Sequence, residues 1–349
     1  MRLIHCADVH LDSPLTSHLD RRRAAERNQE LMNTFSRMAD YAEEEGISAI
    51  LIAGDLFDRK RVSSAVRNVV YSVMTDHPGV SFFYLRGNHD MEGLRDENAA
   101  VPDNLMQFRS DWTTWTMNGP GGISVSITGA EGLKGVPLDY KELDLDPDAV
   151  NLVMLHGQLL EHGTGQNPEA IDLQQLQNKH IDYLALGHIH SYRQGTLSPE
   201  GIYCYPGCLE GRGFDEIGEH GFVLIDIDME TGELKTEFVP FASRTLFEIP
   251  VDATGCGSTG EVLARMKEAL ADSTCTSEDM IRFVLRGEVD VECETNTEYL
   301  ERKFGDQFYF VRVVDETRIQ VDYEQFSLDA SLKGEFVRLV QGDSGLSEE

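Results

Sequence analysis

The sequence predicts an α/β protein with a smaller α+β module at its C-terminal end. In the first half, short apolar runs alternate with helix-period stripes, the pattern of stacked βαβ units. Near residue 245 that pattern gives way to a shorter strand–helix alternation of its own. At 349 residues the chain can bury a large core and suits one large domain followed by a small one, read as 1–243 and 244–340 with a mobile tail over 341–349.

"RLIHCA" is the first strand, and residues 21–45 a helix with Leu31, Phe35, Met38 and Ala42 on one stripe, closed by Glu43-Glu44-Glu45 and Gly46. "SAILIAG" is a second strand. A helix over 63–76 carries Val66, Val69, Val70 and Val73, and "VSFFYLRG" is a third strand. Residues 91–120 read as an irregular excursion and "GPGG" at 119–122 as a turn. Strands follow at about 123–128, 151–155, 182–186, 201–205, 221–228 and 235–241, with a helix near 172–178. In the module, a strand from about 245, a helix at 259–271, a strand at 281–286, a helix at 296–304 and a strand at 308–314 follow in turn.

Five of the apolar runs finish in metal-competent side chains: Asp8 and His10; Asp55; Asn88, His89 and Asp90; His156; His188 and His190. Ligands of open α/β sheets gather beyond the carboxyl ends of strands, so five such endings describe one site. Residues two apart in an extended segment project to one side, which makes Asp8/His10 and His188/His190 two pincers. Glycines 54, 87, 157 and 187 stand beside them, where sharp turns or close approach are useful. The donors are oxygen and imidazole without thiolate, a set for manganese, iron, zinc or nickel. Seven side chains exceed one ion, and two ions sharing Asp55 would use them all. Such a pocket activates water and steadies both oxygens of an in-line displacement at phosphorus. His89 is placed as the general acid for the leaving oxygen, with Asp90 orienting or tuning it.

Charge limits the partners. The formal net charge is −31, from 61 acidic and 30 basic residues, which opposes phosphodiester backbones over most of the surface. Only eight of the basic residues are lysine, a balance compatible with a salt-adapted source. The exception is residues 1–61, nearly balanced with nine basic against eleven acidic side chains. Their basic clusters are Arg21-Arg22-Arg23, more readily a solvated helix face than a phosphate contact, and Arg59-Lys60-Arg61, which follows a metal motif and is the better DNA contact. Two divalent ions would also make the pocket locally cationic. Six cysteines form no C-x-x-C pair, and the chain opens on a strand instead of a leader, so a reducing cytoplasm is expected. No apolar run approaches the 18 or so residues of a membrane span.

At "DVH", "GDLFD", "GNHD", "LHG" and "GHIH" the sequence resembles the calcineurin-like metallophosphoesterase superfamily. "HCADVHLDSPL", "GDLFDR" and "YPGCLEGRGFDEIGEHGF" resemble its SbcD-type DNA repair exonucleases, the YhaO-like branch in particular. The resemblance covers about residues 1–240. It implies a two-sheet β-sandwich flanked by helices and two divalent ions, usually Mn2+. One ion would take Asp8, His10, Asp55 and His190, the other Asp55, Asn88, His156 and His188, with His89 catalytic. Residues 245–340 would resemble the capping domain that helps such nucleases hold DNA. Family members are often homodimers and commonly work with an SbcC-like coiled-coil ATPase. The chain's end soon after the module, without the long helical extension that often docks the ATPase, counts against that last partnership.

Other motifs have plainer readings. "GCGSTG" at 255–260 matches a dinucleotide-binding pattern, yet Ser258 and Glu261 also make a capping box that explains a turn before a helix. Cys204 and Cys208 read as buried thiols before they read as a metal pair. Arg212 and Phe214 in "EGRGFDE" are candidates to line the pocket.

The leading expectation is therefore a manganese-dependent phosphodiesterase acting on DNA, an exonuclease or endonuclease. Its competitors are a small-substrate phosphodiesterase or phosphatase with the same ions, which the acidic charge favours, and a DNA-end-binding scaffold with vestigial hydrolysis, which the complete ligand set disfavours.

Overall fold

The computed structural model describes residues 1–15, 19–58, 61–94, 100–119, 121–132, 138–160, 170–198, 201–320, 328 and 330–342. The chain divides into two compact units, Met1–Thr245 and Leu246–Glu349. The first unit contains strands β1 (Arg2–Cys6), β2 (Ala49–Ala53), β3 (Ser81–Leu85), β4 (Leu105–Gln107), β5 (Thr113–Asn118), β6 (Ser124–Gly129), β7 (Val150–His156), β8 (Leu159–Leu160), β9 (Ile171–Asp172), β10 (Tyr183–Gly187), β11 (Arg193–Ser198), β12 (Gly201–Tyr205), β13 (Gly221–Ile227) and β14 (Leu234–Pro240). Its helices are α1 (Arg21–Glu44), α2 (Ser64–Asp76) and the one-turn α3 (Leu173–Leu176).

Two mixed six-stranded sheets result, ordered β14-β13-β1-β2-β3-β4 and β11-β12-β10-β7-β6-β5. In the first, β1 to β4 run parallel, with β13 antiparallel to β1. In the second, β6, β7, β10 and β12 are parallel and the edge strands β5 and β11 antiparallel. Alternation along the strands sorts their side chains. Leu3, Leu51, Phe83 and Leu85 meet Ile127, Leu152, Met154 and Ala185 in one core between the sheets. Val153, Leu155, Leu184 and Leu186 face the other way and pack with Tyr140, Leu143 and Leu176. The expected sandwich is thus present, and its parallel central strands end together, where a site can form.

The first helix matches its stripe, with Leu31, Phe35, Met38 and Ala42 buried and Asp20 as N-cap. The second turns differently: Val70, Tyr71, Val73 and Met74 are buried while Val69 is 42% exposed. The excursion expected over 91–120 contains β4 and β5. "TTWTMN" lacks an apolar run because β5 is an edge strand with half-open faces, and "RQGTLS" of the edge strand β11 lacks one for the same reason.

Arg27 of α1 is 1% exposed and bonds Glu210 at 3.1 Å and the Gly211 carbonyl at 2.8 Å. Glu210 also accepts from Thr34 Oγ1 and the Ser243 amide, each at 2.6 Å. This paired, fully bonded charge cluster anchors the segment that leads into Arg212 and Glu216.

The second unit holds a parallel three-stranded sheet of β15 (Leu246–Asp252), β16 (Met280–Arg286) and β18 (Phe310–Asp315), and a two-stranded pair of β17 (Glu288–Val289) and β19 (Arg318–Ile319). Helices α4 (Thr259–Ala271) and α5 (Thr297–Phe304) contribute Val262, Met266, Leu300 and Phe304 to its core. Ser258 caps α4, and Glu261 Oε2 reaches back to the Gly257 amide at 2.8 Å, so the glycine-rich segment is a helix start. An eleven-residue helix, α6 (Leu332–Gly342), follows. No helix of the described residues is long and apolar enough to cross a membrane.

Candidate metal centre

Parallel strands deliver the polar residues, although not as extended pincers. β1 ends at Cys6 and β10 at Gly187, so Asp8, His10, His188 and His190 all lie in the turns beyond. Asp8, His10 and Asp55 each have φ of 50° and His188 has 104°, values that cost non-glycine residues about 1–3 kcal/mol each and concentrate at functional sites. The turns after β1 and β2 are laced together: the amides of Asp8, His10 and Leu11 donate to the carbonyls of Gly54, Asp55 and Leu56, each at 3.0 Å. Gly54 itself sits at φ +93°, and a Cβ there would lie 2.2 Å from His156 Nδ1.

All seven expected ligands converge. Asp8, His10 and His190 offer atoms within 4.8 Å of one another, as do Asp8, Asp55 and His156, so Asp8 is common to both groups. Asn88 Oδ1 stands 2.9 Å from His156 Nε2 and 3.2 Å from His188 Nδ1, and Asp55 Oδ2 is 3.3 Å from the same Nε2. The His188 amide donates to both oxygens of Asp8, at 3.1 and 2.9 Å. The His10 ring packs edge-on against His89 and His190, with centroids 5.2 Å apart in each case.

Hydrogen bonds also choose which imidazole nitrogen faces the cluster. His156 Nδ1 donates to the Ala53 carbonyl at 2.9 Å, which turns Nε2 inward. His190 Nδ1 meets Glu216 Oε1 at 2.7 Å, which turns its Nε2 toward Asp8, 3.9 Å away. Carbonyl and carboxylate partners of this kind orient metal-binding histidines. Glu216 is in turn held by the Arg212 amide at 2.7 Å and by its guanidinium.

The electrostatics fit a cation. Burial pushes the Asp55 carboxyl up, but its pairing with His156 outweighs that and holds it at about 2. Burial pulls His156 down, yet Asp55 and then Asp8 lift it to about 9. A proton on Nε2 therefore bridges oxygens that would otherwise bind an ion. Burial raises Asp8, with the neighbouring Asp55 adding to it against the pull of nearby histidines. Both ring nitrogens of the fully buried His10 lack a hydrogen-bond partner, with Asp58 Oδ1 3.4 Å from Nδ1 as an ion-pair neighbour. A buried unsatisfied imidazole beside two carboxylates fits a divalent ion that completes it. The His/Asp groups are candidate sites for a dimetal phosphoesterase, and oxygen and nitrogen donors leave the identity of the metal open.

Asp90 requires a correction. Its carboxylate is buried and spent on the amides of Leu56, Phe57 and Gly87, at 2.8–3.1 Å, where it braces the turns after β2 and β3. Burial, and then the charge of Asp55, raise it to about 7. The carboxylate facing His89 is Asp58, 3.2 Å from Nδ1; it also neighbours His10, and Arg212 at 3.9 Å. Its close contact with His10, helped by the charge of Arg212, depresses its pKa despite partial burial.

Asp58 and Glu216 were the functional neighbours missed from sequence. Asp58 closes "GDLFD" and could have been noticed as a second carboxylate. Glu216 could not, because its partner lies 26 positions away and outside any local spacing rule. His89 is 45% exposed at its side chain, open to an incoming molecule. Of the basic candidates, Arg212 stands beside the cluster, and Arg61 is exposed with Glu92 3.6 Å away. Arg59 and Lys60 lie outside the described residues. Phe214 is buried. All six cysteines are free, and Cys208 Sγ lies against His220 Nδ1 at 3.2 Å.

Comparison with known proteins agrees with this geometry. The chain is 28% identical over 249 residues to "Uncharacterized metallophosphoesterase YhaO" of Bacillus subtilis, covering 68% of this chain and 60% of that protein. It is 27% identical over 270 residues to "DNA double-strand break repair protein Mre11" of Methanopyrus kandleri, covering 68% and 56%, and 24% identical over 309 residues to the protein so named in Aeropyrum pernix, covering 80% and 71%. The chain thus spans under two thirds of the length of the first two. Residues 1–192, more than half the chain, match the family described as calcineurin-like phosphoesterase, and the chain belongs to that family of metal-dependent phosphoesterases.

Proposed function

We propose that this phosphoesterase is a manganese-dependent nuclease that hydrolyses DNA phosphodiester bonds in repair, of the SbcD type. What carries the chemistry is the convergence of Asp8, Asp55, Asn88 and four histidines at the ends of five parallel strands. What supports DNA is the similarity of most of the chain to proteins named for double-strand break repair.

Asp8, His10, Asp55 and His190 would hold one ion; Asp55, Asn88, His156 and His188 would hold the other. Bound divalent ions supply an acidified water and a charge to steady the phosphate oxygens. Ala53 and Glu216 keep His156 and His190 in the tautomers that expose Nε2. Asp58 holds a proton at His89 Nδ1, which leaves Nε2 to protonate the leaving oxygen. Arg212, beside Asp58 and His190, offers a guanidinium to a non-bridging phosphate oxygen. The second unit would help hold DNA, and a coiled-coil ATPase or a second copy of the chain are partners consistent with the family.

The test is metal-stripped protein reloaded with manganese and offered labelled linear duplex DNA and bis(p-nitrophenyl) phosphate in parallel. Cleavage of both, lost in His156→Ala and in His89→Leu, is expected, with His89→Leu still binding metal. The net charge of −31 favours a small substrate instead; cleavage of the small diester alone would establish that reading and defeat the DNA assignment.

A further inference from the structure

Two hollows in the first unit share a wall. One, of about 260 Å³, is lined by Asp58, Arg212, Asp215 and Glu216, of which Asp58 and Glu216 contact His89 and His190 of the cluster. The other, of about 480 Å³, runs between the starts of α1 and α2 and is lined by Arg21, Asn28, Arg61 and Ser63. Ser13 and Pro14 line both, so the two hollows adjoin along those residues, and together they are called the trough below.

The shared wall is hydrogen-bonded to its surroundings. Asn28 Nδ2 donates to the carbonyls of Leu11 and Ser13, at 3.2 and 3.0 Å, and the Asp58 amide donates to Asp12 Oδ1 at 2.6 Å. Asp12 is the one acid on the outer lining, and it is 6% exposed with that oxygen turned to the backbone. Arg21 has no carboxylate within ion-pair distance among the described residues. Arg61 has only Glu92, in a pair whose arginine side chain is 91% exposed, and such pairs hold little energy. In a chain with two acids for every base, two guanidiniums held this weakly among the described residues are available to an anion from outside.

We infer that this trough is a second phosphate subsite, in which Arg21 and Arg61 take a non-scissile backbone phosphate of the strand whose neighbouring bond lies at the cluster. The inference rests on the nuclease reading and adds a substrate requirement to it: the favoured substrate is a polynucleotide strand that reaches from the cluster to the α1/α2 end of the trough. A mononucleotide diester fills only the inner hollow. The trough reads charge and spacing, not bases, so selection is for length rather than sequence.

The experiment compares the manganese-loaded full chain with its Arg21→Ala/Arg61→Ala variant on a single-stranded oligonucleotide and on bis(p-nitrophenyl) phosphate, at several salt concentrations. The ratio of kcat/KM for oligonucleotide to that for the small diester should fall about fivefold, through KM, as expected for two exposed ion pairs. The slope of log(kcat/KM) against log salt should shrink by about 1.4, or about 0.7 for each lost phosphate contact. Arg21→Lys/Arg61→Lys should keep most of the slope. An oligonucleotide-cleaving wild type whose variant shows the same ratio and slope would overturn the subsite alone. A wild type that cleaves the small diester and never the oligonucleotide would overturn the nuclease reading and the subsite with it.

Discussion

Gly187 sits where the two sheets come closest to the site. Its φ is one any residue can adopt, so replacing it tests space without backbone strain. A Cβ there would lie 2.0 Å from the Ala53 carbonyl oxygen, 2.8 Å from His156 Nδ1 and 2.9 Å from Ala7 Cβ. The first two atoms are the partners of the 2.9 Å bond that holds the His156 ring. To reach van der Waals contact the alanine methyl must drive β10 from β2 by more than about 1 Å, since carbon pairs are comfortable near 3.5–4.0 Å. Overpacking of that kind costs roughly 1–3 kcal/mol and the lost hydrogen bond about 0.5–1.5 kcal/mol. Gly187→Ala should therefore lose roughly 2–4 kcal/mol and 5–15 °C in Tm. A displaced His156 should also weaken divalent metal binding on the order of 10–100-fold. Thermal unfolding of chelated protein and calorimetric titration with manganese measure the two effects. Gly79→Ala, where a Cβ meets nothing within 4 Å, is the control and should change neither. Wild-type melting and affinity in Gly187→Ala would refute the argument that this glycine lets the sheets meet at the site.

Glu216→Gln should leave the fold intact and reduce metal affinity on the order of 10–100-fold, read by titration with manganese, because His190 loses the carboxylate that sets its tautomer. Metal uptake should release a proton from His156, which Asp55 holds at about 9 in the metal-free chain. Affinity should then rise about tenfold per pH unit up to that value, and a pH-independent affinity between 6.5 and 8.5 would contradict it. His5, fully buried against Tyr183 Oη at 2.8 Å, is pulled by burial to about 3. Its unfolded form binds the proton first, so stability is retained above about pH 6.5 and lost as pH falls toward 3, at roughly 1.4 kcal/mol per unit. Urea unfolding of metal-free protein at pH 7 and 5 should differ less in His5→Gln than in the wild type.

The core strands were legible because burial on both faces writes continuous apolar runs such as "AILIA" and "YLALG", and the site because each run stops on a metal donor. Edge strands β5 and β11 were not, since a strand with one open face and an antiparallel partner carries no such run. Spacing brings Asp8 with His10 and His188 with His190 to one site, yet the route is left-handed turns and not extended chain, a backbone state that spacing does not encode. Adjacency in sequence pairs Asp90 with His89. In the fold the turn points it inward to three amides, and Asp58, a residue from another strand's end, takes that place.

The cluster draws Asp8, His10, Asp55 and Asn88 from one sheet and His156, His188 and His190 from the other. Ions bound there would work as rivets through the sandwich, joining two layers otherwise held at that end by apolar contact and a few hydrogen bonds. At a metal concentration a hundred times its dissociation constant, one such ion adds about 2.7 kcal/mol to stability. Metal supply would then govern not only whether the chain acts but how long it lasts, with the starved protein the easier prey for proteases.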